Sequence, residues 1–162
     1  MQVKPLFFDT YITAIENSVG SRSFQTMWAE VDGVTKDIAE QGRKSCALFV
    51  SAILVWFGLI KEGHVTVAGL IKDLLFSGWQ KIDEPRVGCI IHWEKTLADG
   101  EWNEHTGFYM GDEIAISNSR RETVPIKHHW TYGEKDGMPV RKVLAMYWHP
   151  KLKRKYFDES ST

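Results

Sequence analysis

Ser45-Cys46-Ala47-Leu48-Phe49-Val50-Ser51-Ala52-Ile53-Leu54-Val55-Trp56-Phe57-Gly58-Leu59-Ile60 is an uncharged run, closed by Arg43 and Lys44 on one side and Lys61 and Glu62 on the other. It falls short of the roughly 18–20 apolar residues that a membrane-spanning helix needs. Apolar on nearly every face, it reads instead as a helix buried in the centre of a globular core. Gly42, Lys44 and Ser45 precede it, so Cys46 falls in the first turn. There the unpaired backbone N–H groups and the positive end of the helix dipole favour a thiolate and lower the thiol pKa. A cysteine opening a buried helix has the placement of a thiol nucleophile. The same position also suits a small apolar residue that merely starts a core helix.

The length of 162 residues fits one domain with a real core, and 43% hydrophobic with 25% charged residues is the balance of a soluble globular chain. A net charge of −1 gives no reason to expect nucleic acid or an anionic membrane as partner. Cys46 and Cys89 make no disulfide framework, and without a CxxC pair no zinc site is expected. No metal or organic cofactor is implied. Among the seven tryptophans, Trp79, Trp102 and Trp130 lie near polar or turn residues and are expected to line a groove as substrate-binding rings. Met1 to Asp9 holds no sustained apolar stretch, so no Sec signal peptide is expected; action outside the cytoplasm would need a route not encoded here. Oligomeric state is not indicated.

The rest of the chain divides into a helical part, about residues 6–77, and a sheet part, about 86–149. A single domain over 1–150 is followed by a tail, 151–162, basic and then acidic, expected to be a solvated terminus. Leu6, Phe7, Tyr11, Ile12, Ala14 and Ile15 predict a helix that breaks at Ser18-Val19-Gly20. Phe24, Met27, Trp28 and Val31 predict a second, capped by Ser23 and ended at Asp32-Gly33. Thr66 begins a further helical segment over 67–76 that stops at Ser77-Gly78. Thereafter apolar residues alternate, predicting strands over 86–93, 105–110, 113–118, 128–132 and 142–148, with turns at Ala98-Asp99-Gly100 and Gly111-Asp112. Helices first and an antiparallel sheet second make an α+β fold.

A thiol nucleophile needs a base, and the base needs an orienting partner. His105 opens a strand whose His105, Gly107 and Tyr109 share one face. The next strand ends in Ser117-Asn118-Ser119 and runs back beside it. Asn118 is the better orienter of an imidazole, while Ser117 lies one residue away in register. His128 and His129 fall on opposite faces of their strand, so one of them is an alternative orienter. His92 reads as structural, His64 and His149 as solvated, and Cys89, between Val87 and Ile91, as inert core.

Cys46-Ala47-Leu48-Phe49-Val50, then Pro85-Arg86-Val87-Gly88, then His105-Thr106-Gly107-Phe108-Tyr109-Met110-Gly111-Asp112 resembles the NlpC/P60 and CHAP superfamily of papain-like cysteine peptidases and amidases. The likeness covers about residues 40–120. It implies a papain-like fold and a thiol hydrolase with Cys46 as nucleophile, His105 as base and Asn118 as orienter. It further implies amide hydrolysis through an acyl-enzyme, and peptidoglycan or a peptide as substrate, cut by an endopeptidase or amidase. An idle binding module of the same fold, or a toxin or phage lysin, fits the same motifs. Where the family carries Asp-Cys-Ser, this chain has Ser45-Cys46-Ala47. Ser45 then offers a hydroxyl to substrate but no carboxylate to a free amine, unless Asp37 or Glu40 folds back.

Overall fold

The computed structural model describes residues 1–153. Helix α1 (Phe7–Asn17) precedes a hairpin of β1 (Trp28–Val31) and β2 (Val34–Asp37), then α2 (Cys46–Trp56) and α3 (Val67–Phe76). Strands β3 (Gln80–Ile82), β4 (Ile90–Ala98), β5 (Glu101–Gly111), β6 (Ile114–Asn118) and β7 (Pro125–His129) follow. Two short strands, β8 (Glu134–Lys135) and β9 (Met138–Pro139), lead to β10 (Val143–Trp148). A six-stranded antiparallel sheet, ordered β3-β10-β4-β5-β6-β7, carries the α+β fold. Residues 154–162, and with them most of the tail assigned from the sequence, lie outside the described residues.

The helix α2 is central because its sequence leaves it no polar face. Ala47, Phe49, Val50, Ser51, Ile53 and Leu54 are all buried, and only Val55 and Trp56 at its last turn are exposed. It packs on β5 and β6 and against α3. Phe49 meets Phe108 of β5 edge to face at 5.4 Å, Phe108 meets Tyr11 of α1 at 6.1 Å, and Tyr11 meets Phe57 at 5.4 Å. Each such side chain contributes about 2–3 kcal/mol of burial, with about 1 kcal/mol more per ring pair. The Tyr11 hydroxyl donates to Gly88 O at 2.9 Å, and a Cβ on Gly88 would come within 2.9 Å of the Tyr11 ring, so glycine is required there.

The helix expected after Ser23 is instead the β1–β2 hairpin. Asp32 and Gly33 both hold positive φ (53° and 77°), the geometry of a two-residue turn, and Trp28 pairs with Asp37 across it. The strand expected over 86–93 begins only at Ile90, and the one expected over 128–132 occupies Pro125–His129. Residues expected to be solvated are held: His149 is buried against Trp79 (5.5 Å) and caps a short 3-10 turn through Lys151 N. His64 Nε2 lies 2.8 Å from Asp73 Oδ2.

That buried aspartate fixes the loop between α2 and α3. Its carboxylate accepts from the N–H groups of Lys61 and Glu62 (both 3.2 Å) and from the Ser77 hydroxyl (2.8 Å). Burial alone would raise its pKa, but His64, Ser77 and these two N–H groups hold it down at about 2. A carboxyl depressed from its ordinary value of about 3.9 contributes stability above pH 4 that disappears as pH falls through 2, here about 2 kcal/mol. Urea unfolding of wild type should lose about that much between pH 4 and pH 2, whereas Asp73→Asn, less stable at neutral pH, should show a flatter acid limb. Equal acid slopes for both proteins would show that Asp73 is not responsible.

Candidate active site

At the first turn of α2 the N-cap residue Ser45 makes no side-chain capping bond, and its Oγ is buried without a partner. The N–H groups of Ala47 and Cys46, and that of Thr106 on β5, are directed at the Cys46 thiol. Burial nevertheless outweighs them and Arg141's charge, pushing the thiol above its ordinary pKa. This corrects the expected lowering by the helix start: in a water-poor site the desolvation of a thiolate exceeds what a few N–H groups return. Cys89 is fully buried and pushed up to about 11, as an inert core thiol should be.

The sheet presents its own groups through a local irregularity. Trp93 pairs with His105, but the next pair is Thr96 with Asn103, so β4 carries one extra residue. Such bulges re-aim side chains. Here His105 stacks on Trp93, with centroids 5.3 Å apart and planes 30° from parallel. Phe108 pairs with Ile116, and continuing that register sets Ser117 beside Gly107. A Cβ on Gly107 would lie 2.6 Å from Ser117 Cβ and 3.1 Å from the Trp93 ring, so the missing side chain lets Ser117 close on His105. Ser117 Oγ is 2.8 Å from His105 Nε2, 2.7 Å from His128 Nε2 and 3.3 Å from the Tyr132 hydroxyl.

These distances assign the protons. His128 Nδ1 lies 2.8 Å from His129 O, an atom that only accepts, so Nδ1 carries hydrogen. In the neutral ring Nε2 is then the acceptor and takes the Ser117 proton. Ser117 Oγ, having given its hydrogen, accepts from His105 Nε2–H. The remaining nitrogen of His105, Nδ1, is left with its lone pair. Burial first, then the charges of Arg141 and His128, push His105 well below the ordinary histidine pKa, so the neutral base is the resting form.

Asn118, the residue expected to orient His105, makes its side-chain hydrogen bonds elsewhere. Side chains alternate along β6, so Asn118 faces away from His105, and its amide donates to Gly42 O at 2.7 Å, bracing the loop that leads into Cys46. Ser117 and the alternative His128 occupy the place assigned to it, while His129 turns its Nδ1 to the loop, accepting from the N–H groups of Thr131 and Gly133.

Cys46, His105, Ser117 and Asn118 all line one cavity of about 460 Å³, with Trp102, Tyr132 and Arg141 also in its wall. Among the expected groove residues only Trp102 is placed there, 68% exposed. Trp79 is core, donating to Leu59 O at 2.8 Å, and Trp130 packs edge-on against Tyr109 at 5.6 Å. Ser45 does not line the cavity. Neither acidic residue that could have replaced the family aspartate is available: Asp37 accepts from Met27, Ala39 and Gln41 N–H groups, and Glu40 pairs with Lys44 at 2.7 Å. Sequence reading missed Arg141 and Tyr132, whose only signal is a polar pair flanking the Gly133–Pro139 turn. Among the described residues no group of three or more His, Cys, Asp or Glu is placed to hold a metal, and no helix is long and apolar enough to cross a membrane.

No family model matches the chain, and no curated protein matches it.

Cys46 and His105 line one cavity, and burial disfavours the charged form of each, raising the thiol and lowering the imidazole, so both are neutral at rest. Alkylation of Cys46 by iodoacetamide, followed by peptide mass, should therefore keep accelerating beyond about pH 8.5. A rate already at its plateau near pH 6 would mean that the ion pair forms at rest.

Proposed function

We propose that the protein is a cysteine hydrolase of papain-like type that cleaves amide bonds through an acyl-enzyme, with peptidoglycan as its leading substrate. The observation that supports this is the hydrogen-bond chain from His129 O through His128 and Ser117, which leaves His105 Nδ1 unprotonated, in a residue that lines the same cavity as Cys46. The resemblance to the NlpC/P60 and CHAP superfamily supports the substrate class.

In this reading His105 Nδ1 takes the thiol proton as Cys46 Sγ attacks the carbonyl carbon. The oxyanion is met by first-turn N–H groups of α2, which no side-chain cap occupies. Collapse breaks the C–N bond, and the imidazolium returns its proton to the departing amine. Water, deprotonated by the same nitrogen, then hydrolyses the thioester and restores the thiol. Ser117 and His128 act through His105 and touch no substrate. They are positioning residues.

The test is mass spectrometry of purified sacculi after incubation with the protein, which identifies the bond cut. New amine and carboxyl termini, absent with Cys46→Ala, are expected. Retention on sacculi without cleavage would make the domain a binding module and overturn the reading.

The orienting chain makes its own prediction. Ser117→Ala and His128→Phe should each lower kcat by about 10²-fold with little change in KM, because both release the His105 tautomer. Asn118→Ala should act mainly on stability, by about 1–2 kcal/mol for a lost buried hydrogen bond. A larger kcat loss in Asn118→Ala than in Ser117→Ala would reverse the assignment.

A further inference from the structure

Arg141 lies in the wall of the same cavity and is held rigidly. Its Nε and Nη2 donate to Glu94 O at 3.1 and 3.0 Å, and Nη2 also donates to Asn103 O at 3.1 Å. Both carbonyls belong to the β4–β5 irregularity, so the guanidinium plugs the gap that the extra residue opens. Its plane lies over the Tyr132 ring, 5.8 Å from the centroid. The oxygens it donates to are neutral backbone carbonyls, and the Glu94 carboxylate acts on it only through space. Among the described residues Arg141 enters no ion pair, whereas each other cation in the cavity wall with an ion-pair contact is already met: Arg43 and Arg120 by Asp99 (3.3 and 3.0 Å), Lys44 by Glu40 and Glu101 (2.7 and 3.3 Å).

A partly buried charge left without a counter-ion is costly unless something arrives to meet it. Arginine cannot discard its proton to escape that cost. The carbonyl bonds engage Nε and Nη2, leaving Nη1 free of them, and a planar fork fixed in this way suits a planar anion. One uncompensated positive charge matches a monoanion better than a phosphate dianion, which would draw on several cations.

We propose that Arg141 is the anchor for a free carboxylate on the substrate, close to the amide that Cys46 attacks, so that the enzyme selects amides flanked by an acidic residue or a chain-terminal carboxylate. The inference rests on the reading of Cys46 as the reactive thiol and goes beyond it in naming the chemistry recognised. Arg141 positions substrate and takes no proton.

The test uses two alkylating probes of nearly equal size, iodoacetate and iodoacetamide, on the folded protein. Each forms the same S–C bond at Cys46 and releases iodide; only the first brings a carboxylate. Rates at Cys46 are read by peptide mass, and their ratio is compared with that of N-acetylcysteine. In wild type the iodoacetate to iodoacetamide ratio should exceed the reference about tenfold, and the iodoacetate rate should saturate; the tenfold preference corresponds to about 1.4 kcal/mol. Arg141→Met should return the ratio to the reference value, even where both absolute rates change because a neighbouring charge has gone. As a check that does not require a variant to fold, about 100 mM acetate should slow iodoacetamide alkylation of wild type, while acetamide at the same concentration should not.

A wild-type ratio equal to the reference, or a preference that survives in Arg141→Met, overturns the assignment and leaves the hydrolase reading standing. Failure of both probes to modify Cys46 removes the reactive thiol and the assignment with it. An iodoacetate preference in a protein that cuts no amide would keep Arg141 as an anion anchor and remove the hydrolase reading instead.

Discussion

The contact between α2 and the β5–β6 pair determines most of what lies around it. Phe49 against Phe108 sets the helix on the sheet, and with that depth fixed the first turn of α2 brings its thiol to the N–H of Thr106, the residue after His105. The chemistry-bearing groups come from different faces: Phe108 and Ile116 belong to the helix-covered side, while His105 and Ser117 belong to the side lined by Trp93 and Tyr132. They nevertheless line one cavity, beside the stretch where the β4–β5 pair is irregular. A regular ladder from Ile90 to Ala98 would continue the pairing past Trp93 without the gap that Arg141 fills.

The electrostatics of the cavity follow from the same packing. Burial works against charge on both Cys46 and His105, and the positive charge of Arg141 acts on both of them and on Tyr132. At rest Cys46 and His105 are thus both neutral, and of the four cations in the wall Arg141 is the one outside any ion pair among the described residues. Such a site gains most of its electrostatic advantage when negative charge develops on substrate, since little water remains to screen it.

Much of the fold was legible from pattern. The α3 helix runs from Val67 to Phe76 behind a Thr66 cap whose Oγ1 accepts from Gly69 N at 3.1 Å, as capping chemistry demands. The turn at Asp112 and the strand to Asn118 were also readable, because alternation and turn residues agree there. Residues 24–31 misled because Phe24, Met27, Trp28 and Val31 fit a helical stripe equally well, and only pairing with residues 34–37 decides otherwise. At the site, Cys46, His105 and Ser117 could be proposed from order and spacing. The choice between Ser117 and Asn118 could not, because one position along a strand exchanges the two faces. The hairpin also carries an extra residue between the Tyr109 and Gly111 pairs, which spacing does not reveal. Trp79 and Trp130 show the limit of composition: a polar neighbour in sequence says nothing about which way a ring points. Arg141 needed the fold, since its partners Glu94 and Asn103 are 47 and 38 residues away.

The three-membered chain from His128 to His105 has a direction, and that direction is held by a single rotatable hydroxyl. Protonating His128 would turn both of its nitrogens into donors. Ser117 would then have to accept from His128 and swing its own hydrogen toward His105 Nε2. That hydrogen could enter only if His105 moved its proton to Nδ1, exchanging lone pair for N–H at that nitrogen. A polarity reversal of this kind propagates through one oxygen with no backbone displacement, and the ¹⁵N shifts of the His105 ring would register it. The cavity would keep its shape while His105 Nδ1 changed from acceptor to donor, so the two protonation states would be indistinguishable by their heavy atoms alone.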